Sequence, residues 1–146
     1  MGGEETFPQL TQVVLDCTDA RMLAEFYRLL LGWRYRRGDE PPDTGPDTRG
    51  QDWLVLRDPV GGGQVAFQQV AELPEATWPE GPVPQQLHLD LTVPTAAELE
   101  VQHERALRLG ARLLLDRSDD PEEPLHVYAD PAGHPFCIFS VTPAEG

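Results

Sequence analysis

Apolar and polar positions along the chain fall into two periods, and the order of those periods repeats in the two halves. Residues 10–17 alternate, with Gln12, Val14 and Asp16 on one face and Val13, Leu15 and Cys17 on the other, which predicts a strand. Thr18 and Asp19 offer N-caps. Leu23, Phe26, Tyr27 and Leu30 then recur at helical spacing until Gly32 supplies a stop. Residues 33–36 read as a short strand and residues 37–50 as a mobile loop with little to bury. Residues 53–56 and 65–70 form a hairpin around Asp58-Pro59-Val60-Gly61.

The second half repeats this order. Leu87, Leu89, Leu91 and Val93 alternate with His88, Asp90 and Thr92, and Thr95 with Glu98 makes a capping box. A helix carrying Leu99, Ala106, Leu107 and Leu109 ends at Gly110. Residues 112–115 make a short strand, residues 116–124 an acidic loop, and Asp130-Pro131-Ala132-Gly133 turns a second hairpin between residues 125–128 and 136–141. Each half thus reads strand, helix, strand, strand, strand. Neither can cover its sheet with one helix alone. The expected fold is α+β, with two tandem βαβββ modules as curled mixed sheets around a shared concave cavity and helices outside. A flat pair of sheets or a ferredoxin-like pair satisfies the same strand count. Module one covers about residues 7–70, a proline-rich acidic linker 71–85, and module two 86–141, after an untethered tail at residues 1–7.

Composition narrows the partners. With 146 residues and a formal net charge of −14, eleven arginines and no lysine, the chain has no basic footprint for nucleic acid or an anionic membrane. The lysine-free, proline-rich composition resembles that expected from a GC-rich bacterial genome. The first ten residues lack a charged-then-apolar leader and no apolar run has membrane-spanning length, so a soluble, cytoplasmic protein is expected. Two cysteines make no disulfide framework. Cys17 faces away from Asp16, which argues against a bridge to Cys137.

The Thr18-Asp19 opening into Ala24-Glu25-Phe26-Tyr27-Arg28 and Leu31-Gly32-Trp33, the Leu87-His88-Leu89-Asp90-Leu91 strand, and the Asp130-Pro131 ending through Gly133, Phe136 and Cys137 carry a family resemblance. The chain resembles the vicinal oxygen chelate superfamily of glyoxalase I, bleomycin-resistance proteins and extradiol dioxygenases, and is most similar to its uncharacterised bacterial glyoxalase-like branch. The resemblance implies up to four metal-ligand positions, on the first and last strand of each module. Those positions are Gln12, His88, Gln68 and Cys137, where the family expects mostly His and Glu. The resemblance also implies a homodimer that sometimes exchanges modules.

Glutamine is a weak neutral donor, so that set offers one good nitrogen and one thiol that must first ionise. No cofactor is therefore expected, with a divalent metal as the alternative. His88 and Asp90, two residues apart on one face, form the candidate acid/base pair, and Asp16 faces the same presumed cavity. Trp53, His126 and Tyr128, beside the hairpins, are candidate ligand contacts together with Gln12, Gln68 and Cys137. His134 and His103 read as solvated. The function expected is binding of a small organic molecule between the modules without the usual metal. The alternatives are a metal-dependent lyase or dioxygenase, or a metal-free enzyme using His88 and Asp90.

Overall fold

The computed structural model describes residues 5–141, so the first four residues of the expected tail lie outside it. The first sheet contains β1 (Val13–Cys17), β2 (Arg34–Tyr35), β3 (Trp53–Arg57) and β4 (Gln64–Gln69) in the order β1-β4-β3-β2. The second contains β5 (Leu89–Val93), β6 (Arg112–Arg117), β7 (Leu125–Ala129) and β8 (Pro135–Ser140) in the equivalent order β5-β8-β7-β6. In each, the first strand runs parallel to the last and the others are antiparallel, so both sheets are mixed. No ladder joins the two sheets among the described residues, and neither closes into a barrel.

Local chemistry accounts for the helices. In α1 (Ala20–Leu31), Asp19 Oδ1 accepts from Met22 N at 3.0 Å; in α2 (Ala96–Leu109), Thr95 Oγ1 accepts from Glu98 N at 3.1 Å. Gly32 and Gly110 end them at φ 70° and 118°, where a side chain would be strained. Each helix covers one face of its own sheet, and the two also pack on each other. Leu15, Leu54, Leu56 and Phe67 from the first sheet and Tyr128, Phe136 and Ile138 from the second thus share one core with Tyr27 and Leu99.

The duplicated turn is built twice on a similar pattern of bonds, with the first copy closing one residue later than the second. Asp58 N donates to Gly63 O and Gly61 N to Asp58 O; Asp130 N donates to His134 O and Gly133 N to Asp130 O. An aspartate side chain accepts from the residue two ahead in both copies, Val60 N at 3.0 Å and Ala132 N at 2.8 Å. Only the second copy is buried. Asp130 there also accepts from Tyr27 Oη at 2.7 Å, which ties α1 of the first module to the last turn of the second.

The loop at 37–50 corrects an expectation. Rather than lacking anchors, it carries Asp39, which is fully buried and accepts from Val55 N at 3.0 Å while pairing with Arg49 and Arg36. Arg21 on α1 donates to Asp39 O and to both oxygens of Asp47, at 2.7 and 2.9 Å. Charge pairing orders this segment where apolar burial does not. Among the described residues, no helix is long and apolar enough to cross a membrane.

Candidate functional site

In the first sheet, Asp16 pairs with Gln68, and Gln68 with Trp53, so three predicted residues form one row across three strands. Adjacent strands sit about 5 Å apart, which places these side chains side by side on the face opposite the core. Gln12 precedes β1, and its Oε1 accepts from Gln64 Nε2. The second sheet gathers the other predicted group. His88 stands one residue before β5, and its Nε2 lies 3.2 Å from Asp90 Oδ1. Asp90 is in turn the strand partner of Cys137. Donor atoms of His88, Asp90 and Cys137 all lie within 4.8 Å of one another.

Burial and then the Asp90 carboxylate push the Cys137 thiol up to about 11, so at neutral pH it is a thiol. The His88 and Asp90 side chains are about half exposed, at 45% and 56%, so water screens their attraction. Among the described residues no hydrogen bond or ion pair links this group to Gln12, Asp16, Gln68 or Trp53.

His126 and Tyr128 stand elsewhere than expected. Both are buried on the helix-covered face of β7, where His126 stacks on His103 with ring centroids 4.2 Å apart. His103 Nδ1 lies 2.7 Å from Tyr128 Oη, so His103 also departs from the solvated position expected for it. Val127, on the opposite face of β7, is the strand partner of Cys137. His126 and Tyr128 thus pack the sheet against α2 and do not share a face with Cys137. Burial, and then the neighbouring His103, lower the His126 pKa below the ordinary histidine value.

A pocket of about 400 Å³ opens between β1, the linker and the β7–β8 turn. Leu73, Pro74, Ala76, Pro82, Val83 and Pro84 of the linker form one wall, Val14 and Leu15 of β1 the second, and Ala132 to Pro135 the third. Its polar lining residues are Asp16, Gln85, Gln86 and His134. Gln85 Oε1 is buried, and no protein donor reaches it. His134 is held by its Nδ1, 3.1 Å from Asp130 Oδ2. The linker keeps its shape through Thr77, whose N donates to Val83 O at 2.7 Å and whose Oγ1 accepts from Val83 N at 3.1 Å. A salt bridge from Arg112 to Glu75 fastens it to the second sheet.

Residues 12–139 match the sequence model of the glyoxalase-like domain. The chain belongs to that family. Solved structures of other proteins share this fold. A glyoxalase/bleomycin resistance protein/dioxygenase family enzyme from Burkholderia phytofirmans superposes with a TM-score of 0.66 at 17% identity, covering 90% of this chain and 98% of that one. Lactoylglutathione lyase from Agrobacterium tumefaciens gives 0.59 at 16%, covering 94% and 96%. The fosfomycin resistance protein FosX from Listeria monocytogenes, in complex with manganese(II) and a dihydroxypropylphosphonic acid, gives 0.65 at 16%, covering 94% and 95%. No curated protein matches the sequence.

Sequence reasoning assigned only Asp16 among the residues that line the pocket of this glyoxalase-like protein. Residues 71–85 are expected from the sequence only as the linker between the modules. A signal existed in Leu73, Ala76 and Val83, apolar residues set between prolines in an acidic stretch. His134 carried another, since the first turn has no histidine at the equivalent place.

Proposed function

We propose that the protein binds a small organic molecule in the pocket between β1, the linker and the β7–β8 turn. The observation that carries this reading is the pocket itself: about 400 Å³, walled mainly by aliphatic and proline side chains, with a few polar groups among them. That combination of size, apolar wall and sparse polar groups is what small-molecule sites require. A thermal-shift screen of small organic compounds tests it, with Ala76→Trp as the variant that fills the pocket from its linker wall. A ligand-dependent rise in Tm that disappears in Ala76→Trp supports the reading. No stabilising compound, or an undiminished rise in the filled variant, sinks it.

A second reading rests on a different observation, the three donor atoms of His88, Asp90 and Cys137 within 4.8 Å. FosX from Listeria monocytogenes is seen with manganese(II). The donor set here is one nitrogen, one carboxylate oxygen and one sulfur, which suits zinc better than manganese. A bound zinc ion would supply Lewis acidity and a water of lowered pKa. His88 would contribute a neutral imidazole, Asp90 a carboxylate, and Cys137 a sulfur that ionises on ligation. Elemental analysis after zinc loading and dialysis, with cobalt(II) substitution to read a thiolate charge-transfer band, checks this. Stoichiometric metal that is lost in His88→Ala supports it; protein that emerges metal-free and without the band refutes it.

A further inference from the structure

We infer that the pocket selects an organic cation, an ammonium group carried on a compact apolar skeleton. This rests on the reading that the pocket binds small molecules and goes beyond it by naming the chemical class. The argument starts from the polar atoms in the lining. Asp16 offers a carboxylate that accepts hydrogen bonds and brings negative charge. Gln85 also lines the pocket, and its side-chain Oε1, buried in this structure, is an acceptor that no protein donor meets. His134 has its Nδ1 engaged by Asp130, so its free ring nitrogen is a third acceptor when the ring is neutral.

No arginine lines the pocket, and the chain has no lysine, so no fixed positive charge is available there for an anionic ligand. The net charge of −14 acts in the same direction by drawing cations toward the surface. A metal ion does not fit the same facts. One carboxylate among aliphatic and proline walls lacks the several hard donors that a divalent cation needs, whereas those walls suit a hydrocarbon skeleton. The geometry thus asks for an N–H donor and a positive charge at the Asp16 and Gln85 side, with the rest of the molecule apolar.

Three probes of one shape separate charge from shape: 1-adamantylamine, 1-adamantanol and adamantane-1-carboxylate, titrated calorimetrically into the full chain at pH 7. The amine is expected to bind about tenfold more tightly than the alcohol, the size of one charge-assisted contact, and the carboxylate weakest of all. The amine's advantage should shrink between low salt and about 0.5 M NaCl while the alcohol's affinity holds. Asp16→Asn, a change at an exposed position, should bring amine and alcohol to within about twofold. Gln85→Leu should weaken the amine more than the alcohol and provides a second variant if the first is poorly folded.

Equal binding of all three probes, or a carboxylate that matches the amine, overturns the inference while leaving the pocket a binding site. An amine preference that survives both substitutions also overturns it. If none of the three binds, the inference fails as well, and the broader screen with Ala76→Trp decides the underlying reading separately.

Discussion

Replacing Tyr27 with phenylalanine removes one oxygen from the bond that couples the two modules. Tyr27 Oη donates to Asp130 Oδ2 at 2.7 Å, and both residues are buried, at 1% and 4% exposure. A hydrogen bond to a charged acceptor contributes about 1.5–3 kcal/mol net. Asp130 Oδ2 keeps His134 Nδ1 at 3.1 Å after the change, so the carboxylate is not left bare. The aromatic contacts of the ring with Phe26, Phe67 and Phe136 also persist, so no large cavity opens. The expected cost is therefore about 2 kcal/mol, toward the lower part of that range. For a chain of this size that is a fall in Tm of roughly 4–8 °C, or about 1 M in urea midpoint at unchanged slope. Tyr35→Phe is the internal control. Tyr35 Oη donates to Glu25 Oε2 at 2.7 Å, but this site is only partly buried and Arg28 already pairs with Glu25 at 2.6 Å, so its loss should cost less than about 1 kcal/mol. Urea unfolding of both variants reads the difference. If Tyr27→Phe lies within about 0.5 kcal/mol of the parent, or no lower than Tyr35→Phe, the bond is not a stabilising link between modules.

Three further outcomes follow from the same geometry. Asp39→Ala leaves Val55 N without its acceptor and unties Arg36 and Arg49, and should cost about 2–3 kcal/mol while speeding hydrogen exchange in the loop at 37–50; exchange unchanged there would show that the charges do not order it. His126 is held below the ordinary histidine value by burial and His103 against the pull of Asp116 and Glu100, and its ring also abuts Tyr128. The unfolded chain titrates near about 6.5 and binds more protons than the folded one just below it, so urea midpoints should fall as pH drops under that value, and flatten in His126→Phe. With Cys137 pushed up to about 11 and Cys17 to about 12, mainly by burial, native protein at pH 8 should react slowly with a disulfide reagent at Cys137 and at Cys17 only on unfolding. Equal rates at both thiols would contradict the burial of Cys17.

The elements that could be read from the sequence are those whose period is strong and one-sided. Residues 89–93 alternate cleanly because one face meets the core and the other does not. The caps at Asp19, Thr95, Gly32 and Gly110 follow from local bonds alone, and the Asp-Pro turns from side chains reaching two residues ahead. Alternation fails in β7, where His126, Val127, Tyr128 and Ala129 are all buried, so no pattern says which face holds a ligand and which holds a helix. The ordered loop and the pocket were unreadable for another reason. Both depend on partners far away in the chain, such as Arg21 with Asp47 or Glu75 with Arg112, and composition carries no register for such pairs. The period-two rule puts Gln12 with Asp16 and His88 with Asp90 on shared strand faces; the strand ladders add Gln68 and Trp53 beside Asp16, and Cys137 beside Asp90. What periodicity could not supply was the relation of one module's face to the other's.

The linker wall of the pocket has a consequence for how such a protein diversifies. Leu73, Ala76 and Val83 shape the site yet belong to neither sheet nor to the shared core. Substitutions there can change what is recognised without disturbing strand pairing, helix packing or the Tyr27–Asp130 bond. Recognition and foldedness are thus carried by different residues, so drift in the one need not erode the other. A duplicated scaffold with a variable connecting segment can acquire new ligands at little risk to its stability, and homologues would be expected to differ most along that segment while keeping both aspartate turns.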